Sequence, residues 1–355
     1  VGRVDVRAGE LSHLLGSYLE KMMDYEGAGR AYERALAIFE ALPEQAEAVA
    51  TSLSTLGGLA AERGAYEEAR GYYEQALTRR QTLTGAKSIE TGTSWNNLGY
   101  LWQRWGRYEE AKRHYGQALA IFKAQFGLKH PHTINSMNNM GGVLLEMGAY
   151  DEAEAYLGGA LRLYRNILGD EHVLTAVGWT NVGLWHLLGE RYDEAEKLLL
   201  KARQIRLAVW GDKHVATAES MNNLGRLWGE MGRYEEAWGQ LVPAVGVWMG
   251  VLGVGHAHTA TGWNNLGVVL GRMGRWVEGE RALGRALAVR ERVFGVGHVK
   301  VAEVLVNWGD LRVAEGDETG GKGYYERAWG MVEGVLGEGH PLVRRIAAGL
   351  DGDVG

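Results

Sequence analysis

The chain has 355 residues, a net charge of −6 and no cysteine, so disulfides, thiolate metal sites and cysteine nucleophiles are excluded. No basic stripe typical of a nucleic-acid-binding surface stands out, and no apolar run approaches the ~20 residues that span a bilayer. We therefore expect neither nucleic acid nor a membrane as a partner, and the absence of cysteine favours a cytoplasmic location.

A glycine recurs every 42 residues through most of the chain. The series consists of Gly57, Gly99, Gly141, Gly183, Gly225, Gly267 and Gly309, and Gly16 precedes it by 41 residues. Other positions keep the same period: a small residue lies twelve residues after each anchor glycine, and an alanine lies nineteen after it in every repeat. Eight consecutive repeats favour one tandem array over several domains with separate cores.

Each repeat predicts two helices, as the third repeat shows. Its first helix has apolar residues at Trp95, Leu98 and Trp102, with the spacing of one helix face. A glycine about seven residues after the anchor then ends this helix, as C-terminal glycines commonly do. The second helix begins near Tyr108, carries a stripe of alanines and aromatic residues, and ends at Gly127.

In chain order, the expected repeats cover approximately residues 4–43, 44–86, 87–129, 130–171, 172–213, 214–255, 256–297 and 298–339, and a capping helix and tail follow at 340–355. We thus expect residues 1–355 to form a single solenoid. The first and eighth repeats depart from the pattern, as terminal repeats of a solenoid do. The chain starts at Val1 rather than Met, which predicts additional domains in a longer protein.

The third repeat combines W-N-N-L-G-Y-L-W at 95–102 with Ala111, Tyr115 and Ala118 in its second helix. This pattern resembles the tetratricopeptide repeat, whose usual unit has about 34 residues. The longer unit, with its G-x-x-H loop, is similar to the repeats of kinesin light chains and to the arrays of STAND-type (NB-ARC-type) signalling ATPases. The resemblance implies an all-α fold, a right-handed α-solenoid of tandem two-helix units, with no enzymatic activity and no cofactor.

Two asparagines stand side by side before the anchor in several repeats. In tetratricopeptide folds the first helix lines a concave groove, so the resemblance implies that these carboxamides contact a bound peptide or partner helix. Arginines and a tyrosine on the same face would set specificity. The implied groove residues are Asn96, Asn97, Tyr100, Arg104, Asn138, Asn139, Asn181, Asn222, Asn223, Arg226, Asn264, Asn265, Arg272 and Asn307. For the asparagines a structural role is the alternative, since each amide could bond to a backbone group of the adjacent repeat.

Three functions compete at this point. The first is a protein–protein interaction scaffold that binds a protein or peptide in the groove. The second is the sensor and ligand-recognition array of a larger STAND-type ATPase or protease signalling protein. The third is a platform for self-association. An enzyme is the class with least support, because no catalytic motif occurs and a repeat scaffold needs none.

Two further features receive structural interpretations. A histidine recurs every 42 residues at His130, His172, His214, His256, His298 and His340, too far apart for shared metal coordination, so we expect helix-start or loop-packing roles and no metal site. Extra glycines are predicted inside the helices of the last three repeats, where they should weaken the C-terminal third: Gly246, Gly250, Gly271, Gly279, Gly284, Gly321, Gly323, Gly330 and Gly334.

Overall fold

The computed structural model describes residues 5–22 and 24–352, and all regular structure within them is helical. The first helices of successive repeats are α1 (Val6–Lys21), α3 (Ala46–Glu62), α5 (Ile89–Arg104), α7 (Pro131–Glu146), α9 (Val173–Leu188), α11 (Val215–Glu230), α13 (Ala257–Arg272) and α15 (Val299–Glu315). The second helices are α2 (Tyr25–Glu40), α4 (Tyr66–Thr84), α6 (Tyr108–Phe126), α8 (Tyr150–Leu168), α10 (Tyr192–Trp210), α12 (Tyr234–Val251), α14 (Trp276–Phe294) and α16 (Glu318–Val332). A 3-10 turn (Pro43–Gln45) precedes α3, and α17 (Pro341–Asp351) follows the eighth pair. The expected all-α solenoid of helix pairs is confirmed.

The chain divides into two compact units, Val1–Met140 and Gly141–Gly355, which we call the N-terminal part and the C-terminal part. The division falls within α7. In the N-terminal part, α1, α3 and α5 each pack against the second helix that follows, and α2 and α4 each pack against the next first helix. In the C-terminal part the same alternation runs from α8 to α16, and α17 packs against α16 and α15.

The anchor glycine is explained by the close approach of the two helices of a pair. A Cβ atom at Gly99 would lie 2.6 Å from Cδ1 of Tyr115, and one at Gly225 would lie 2.5 Å from Cγ of Leu241. In every repeat the side chain sixteen residues after the anchor crosses this glycine. A larger residue at the anchor would therefore push the two helices apart.

The turn between the two helices departs from the expected pattern in one repeat. Other repeats place a glycine with φ near 75° after the first helix, for example Gly106 and Gly232. In repeat five the sequence predicts that Gly189 has this role, but Gly189 has φ −91° and the left-handed position falls on Glu190, with φ 58°. The glycine lies one residue too early, so Glu190 adopts the left-handed conformation instead. For a residue with a Cβ, this conformation lowers stability by about 1–2 kcal/mol.

The extra glycines of the last three repeats fall into distinct groups. Gly246 and Gly250 lie inside α12 with no atom near a Cβ position. Gly279 is instead closely packed, since an added Cβ would lie 2.7 Å from Cδ1 of Leu311 and would clash with it. The prediction that Gly334 lies inside a helix is wrong, because α16 ends at Val332 and Gly334 forms a turn with φ 73°.

Candidate binding face on the first helices

In the N-terminal part, one asparagine pair joins two repeats. Asn139 Nδ2 on α7 donates a hydrogen bond to Asn96 Oδ1 on α5 at 2.9 Å. The donor is the second asparagine of its repeat and the acceptor is the first asparagine of the preceding repeat. The amide therefore bonds to a side chain, whereas the structural alternative considered from the sequence named a backbone group.

In the C-terminal part, the same bond recurs and becomes a chain. Asn307 donates to Asn264 at 2.9 Å, and Asn265 donates to Asn222 at 3.0 Å. Asn264 Nδ2 in turn donates to Asn265 Oδ1 at 3.2 Å, so four side chains from three repeats are connected. Arg345 on α17 donates to Asn307 Oδ1 at 2.9 Å and adds a charged donor at one end. Such a connected network holds neighbouring first helices in a fixed register.

The chain of amides is interrupted at repeat five. Thr180 occupies the place of the first asparagine there, and its hydroxyl donates to the carbonyl oxygen of Ala176 at 3.0 Å. Asn223 Nδ2 is buried and has no hydrogen-bond partner. An unsatisfied buried donor of this kind costs about 1–3 kcal/mol.

The remaining implied asparagines lie in the first helices of repeats three to five. Asn97, Asn138 and Asn181 are each half-buried. A primary amide has two N–H donors and an acceptor, and the bond between repeats uses only one donor of each second asparagine that forms it. Ligand contact by the asparagines thus remains a prediction.

A tyrosine and an arginine of repeat three form a polar group with an acid of repeat two. Tyr100 Oη donates to Glu62 Oε1 at 2.8 Å, and Arg104 Nη1 donates to Tyr100 Oη at 3.2 Å. Arg104 also forms an ion pair with Glu62 at 3.5 Å. Desolvation of the hydroxyl raises the pKa of Tyr100 to about 12, with Arg104 opposing the rise and Glu62 adding to it. The hydroxyl is therefore a neutral hydrogen-bonding group at physiological pH.

The two other implied arginines, Arg226 and Arg272, differ in whether they form ion pairs and hydrogen bonds. Arg272 pairs with Glu230 at 3.4 Å and donates to the carbonyl oxygen of Gly229 at 3.3 Å. Arg226 on α11 is exposed and, among the described residues, forms no hydrogen bond and no ion pair within 4 Å. The positive charge of Arg226 also acts on Glu303. Burial disfavours ionisation of this carboxyl, but Lys300, Arg290 and Arg226 together hold its pKa well below the usual range.

Within the C-terminal part, the end of α7 meets helices far along the chain. Lys300 Nζ on α15 contacts Glu146 Oε2 at 2.9 Å, across 154 residues. His340, the residue before α17, places Nε2 3.0 Å from the carbonyl oxygen of Glu146, across 194 residues. These contacts join repeat four to repeat eight and to the capping helix.

Three buried arginines were missed from the sequence. Arg80, Arg206 and Arg290 occupy one position of the second helix and are at least 94% buried. Arg206 Nη1, for example, donates to Ser220 Oγ at 3.0 Å and to Glu219 Oε2 at 3.2 Å in the next first helix. Their separations are multiples of the 42-residue period, and that was the signal available in the sequence.

The periodic histidines cap the first helices. Nδ1 of His172, His214, His256, His298 and His340 accepts the backbone N–H two residues later at 3.0–3.1 Å. His130 does the same for the N–H of His132 at 3.3 Å. The predicted helix-start role is confirmed. Among residues 5–22 and 24–352, no group of three or more His, Asp or Glu side chains could hold a metal ion. No described helix is long and apolar enough to cross a membrane.

Comparison with known structures places the fold among helical-repeat proteins. The crystal structure of BtubC (BKLC) from P. vanneervenii is 21% identical, over 66% of this chain and 92% of that chain, with a TM-score of 0.52. A Rap protein complexed with competence and sporulation factor is 12% identical, over 93% and 99% of the two chains, with a TM-score of 0.66. A Podosopora anserina putative kinesin light chain with nearly identical TPR-like repeats is 20% identical, over 58% and 97%, with a TM-score of 0.45.

Comparison with family models covers most of the sequence. A search of curated proteins gave no match. The tetratricopeptide repeat model matches residues 8–82, 48–124, 90–166, 132–208, 174–237 and 258–328. A second tetratricopeptide repeat model matches residues 217–258. The chain belongs to the tetratricopeptide repeat family.

Proposed function

We propose that this chain is a non-enzymatic scaffold that binds a protein or peptide along the face formed by its first helices. Membership of the tetratricopeptide repeat family supports a protein partner. The observation that carries the location is Arg226, an exposed guanidinium with no hydrogen bond among the described residues. The same proposal needs no cofactor, and the lack of cysteine supports an intracellular, cytoplasmic setting.

In this proposal the asparagines have a structural role and the exposed residues contact the ligand. Asparagines that bond between repeats, such as Asn139 and Asn265, fix the spacing of the first helices. Tyr100, Arg226 and Arg272 are the exposed side chains among the implied groove residues. The two arginines present donors that a ligand can reach, whereas the Tyr100 hydroxyl already donates to Glu62. Rigid helices that position a few polar groups are the usual basis of specific recognition.

The chemistry of Arg226 specifies the ligand more closely. Glu303 already forms ion pairs with Lys300 at 2.6 Å and with Arg290 at 3.0 Å. The guanidinium of Arg226 is therefore available to a ligand. A guanidinium has five donors arranged to bind a carboxylate with two hydrogen bonds. We therefore expect the ligand to present an Asp, Glu or C-terminal carboxylate at this point.

Selection from a random peptide library displayed on phage tests the proposal. Peptides selected on the wild-type chain should be enriched in acidic residues, and Arg226→Gln should weaken the best of them about tenfold, corresponding to one lost charge-assisted contact of about 1.4 kcal/mol. Arg281→Gln is the matched control, because Arg281 is an exposed arginine on the second helix α14. Equal binding by the Arg226→Gln variant, or selection of peptides without acidic residues, would refute the assignment.

A further inference from the structure

The first helix of the array exposes an apolar stripe. Leu11, Leu14, Leu15, Tyr18 and Met22 are spaced three, one, three and four residues apart, and each leaves about half or more of its surface exposed. This spacing places Leu11, Leu14, Leu15 and Tyr18 on one face of α1, and Met22 follows directly after the helix. We call this surface the α1 stripe. A contiguous apolar surface of this kind on a folded protein is typical of an interface whose partner is missing.

At two positions of the α1 stripe, the corresponding residues of later repeats are buried. Tyr18 lies two residues after its anchor glycine, as do Leu59 and Leu101, which are 3% and 0% exposed. Leu15 directly precedes its anchor, as does Leu98, which is 2% exposed. Leu15 and Tyr18 are therefore in register with an interface that forms between successive repeats within each of the two parts.

The element that covers these positions in later repeats is the second helix of the preceding repeat. In the N-terminal part, Leu59 clusters with Ala28 and Tyr32 of α2. The alanine lies twelve residues after its anchor, and the tyrosine lies four residues further on. Within the C-terminal part the same arrangement recurs in two clusters, Leu227 with Ala195 and Leu199, and Val269 with Ala237 and Leu241.

The covering helix needs a small residue at one point. At Gly279, which takes the place of the alanine in repeat seven, even a Cβ atom would lie 2.7 Å from Leu311 Cδ1, two residues after the next anchor. A bulky side chain at this point would hold the covering helix away from the stripe and leave a gap along its length. The interface thus specifies its occupant by shape as well as by apolarity.

We propose that the α1 stripe docks an amphipathic helix of the second-helix type, with an alanine opposite Tyr18 and a leucine or tyrosine four residues after that alanine. The partner extends the array by one helix at its N-terminal end. The two assignments are tested separately, because the docking test changes Leu15 and Tyr18 on α1, whereas the peptide-binding test changes Arg226 on α11.

The probe is a fluorescein-labelled synthetic peptide of residues 107–127 of this chain, which contains α6 with Ala111 and Tyr115 at the required spacing. Titration with the full chain, followed by fluorescence anisotropy, should show saturable binding. The double variant Leu15→Glu/Tyr18→Glu should weaken binding at least tenfold, because two carboxylates would be desolvated at the interface. Both positions are exposed, so the variant should retain its helix content by circular dichroism.

Two controls make the result specific. Val277→Glu/Val296→Glu changes two other exposed apolar residues, and this variant should bind the peptide as the wild-type chain does. A peptide with Ala111→Phe should bind at least tenfold more weakly to the wild-type chain. The proposal is overturned by no saturable binding, by equal binding to the Leu15→Glu/Tyr18→Glu variant, or by undiminished binding of the Ala111→Phe peptide. Wild-type dimers in sedimentation that this double variant dissociates, without peptide binding, would assign the stripe to a second copy instead.

Discussion

Thr180 stands 43 residues before Asn223, at the position from which an asparagine accepts a hydrogen bond in repeats three, six and seven. The threonine hydroxyl is instead directed to the carbonyl oxygen of Ala176, and Asn223 Nδ2 stays buried without an acceptor. One residue therefore interrupts the side-chain bonding between neighbouring first helices in the C-terminal part.

Replacement of Thr180 by Asn should stabilise the chain. The new Oδ1 can accept from Asn223 Nδ2, as Asn222 does from Asn265 at 3.0 Å. Satisfying a buried donor should raise the free energy of unfolding by about 1 kcal/mol. Urea denaturation followed by circular dichroism measures the change. The control is Thr180→Val, which copies the valine at the same position of repeat eight, Val306, and offers no acceptor. If the valine variant gains as much as the asparagine variant, the missing bond is not the cause.

Replacement of Glu190 by Gly should also stabilise the chain. Glu190 has φ 58°, a conformation that glycine adopts without the strain of a Cβ. We expect a gain of about 1 kcal/mol in thermal or urea unfolding. The reciprocal control is Gly232→Ala, at φ 76° with open space around it, which should lose a similar amount. A loss of stability in the Glu190→Gly variant would contradict the explanation by backbone strain.

The glycines of α12 and α14 should respond in opposite directions to alanine. Gly246→Ala and Gly250→Ala add a methyl group to open space inside a helix, so each should stabilise by about 0.5–1 kcal/mol. Gly279→Ala should destabilise, because its Cβ would overlap Leu311. Differential scanning calorimetry of the three variants tests the contrast. A uniform gain would mean that the packing at Gly279 relaxes without loss.

Acid should weaken the fold through His114. Burial lowers the pKa of this imidazole to about 4, with Arg113 acting in the same direction, and Nδ1 is buried without a partner. The His114 imidazole takes up a proton near pH 6.5 in the unfolded chain and only near pH 4 in the folded chain. The free energy of unfolding should therefore fall as pH drops through this interval, by at most about 1.4 kcal/mol per pH unit.

The variant His114→Phe isolates this contribution. Phenylalanine keeps an aromatic ring against Trp95, which His114 stacks on at 5.2 Å, and removes the titration. Urea unfolding between pH 7 and pH 4 should therefore show a shallower decline for the variant. Parallel pH profiles for the variant and the wild-type chain would assign the acid sensitivity to other groups.

The fold could be predicted because its decisive contacts are local and repeated. The anchor glycine and the residue sixteen positions later form one fit, seen at Gly99 with Tyr115 and at Gly225 with Leu241. A contact that recurs once per repeat leaves a period in the sequence, and the period gives the helices and their pairing.

The details of the candidate face were less accessible. The sequence placed the asparagines in pairs, but which amide atom bonds to which depends on how neighbouring first helices are spaced, since the bonded asparagines are 43 residues apart. Buried arginines such as Arg206 were overlooked because arginine on a helix is ordinarily exposed. Their partners, such as Ser220, lie in the next repeat and leave no local pattern. Ligand contact by the implied groove residues and the sensor-array alternative remain predictions.

The contacts of Glu146 with Lys300 and His340 have a consequence for how this array can evolve. An open solenoid tolerates the gain or loss of a repeat, since each repeat touches only its neighbours. Here an acid at the end of α7 meets a lysine four repeats later. Duplication or deletion of one intervening repeat would carry the lysine away from its acid. The Glu146–Lys300 contact therefore constrains the C-terminal part to its present number of repeats.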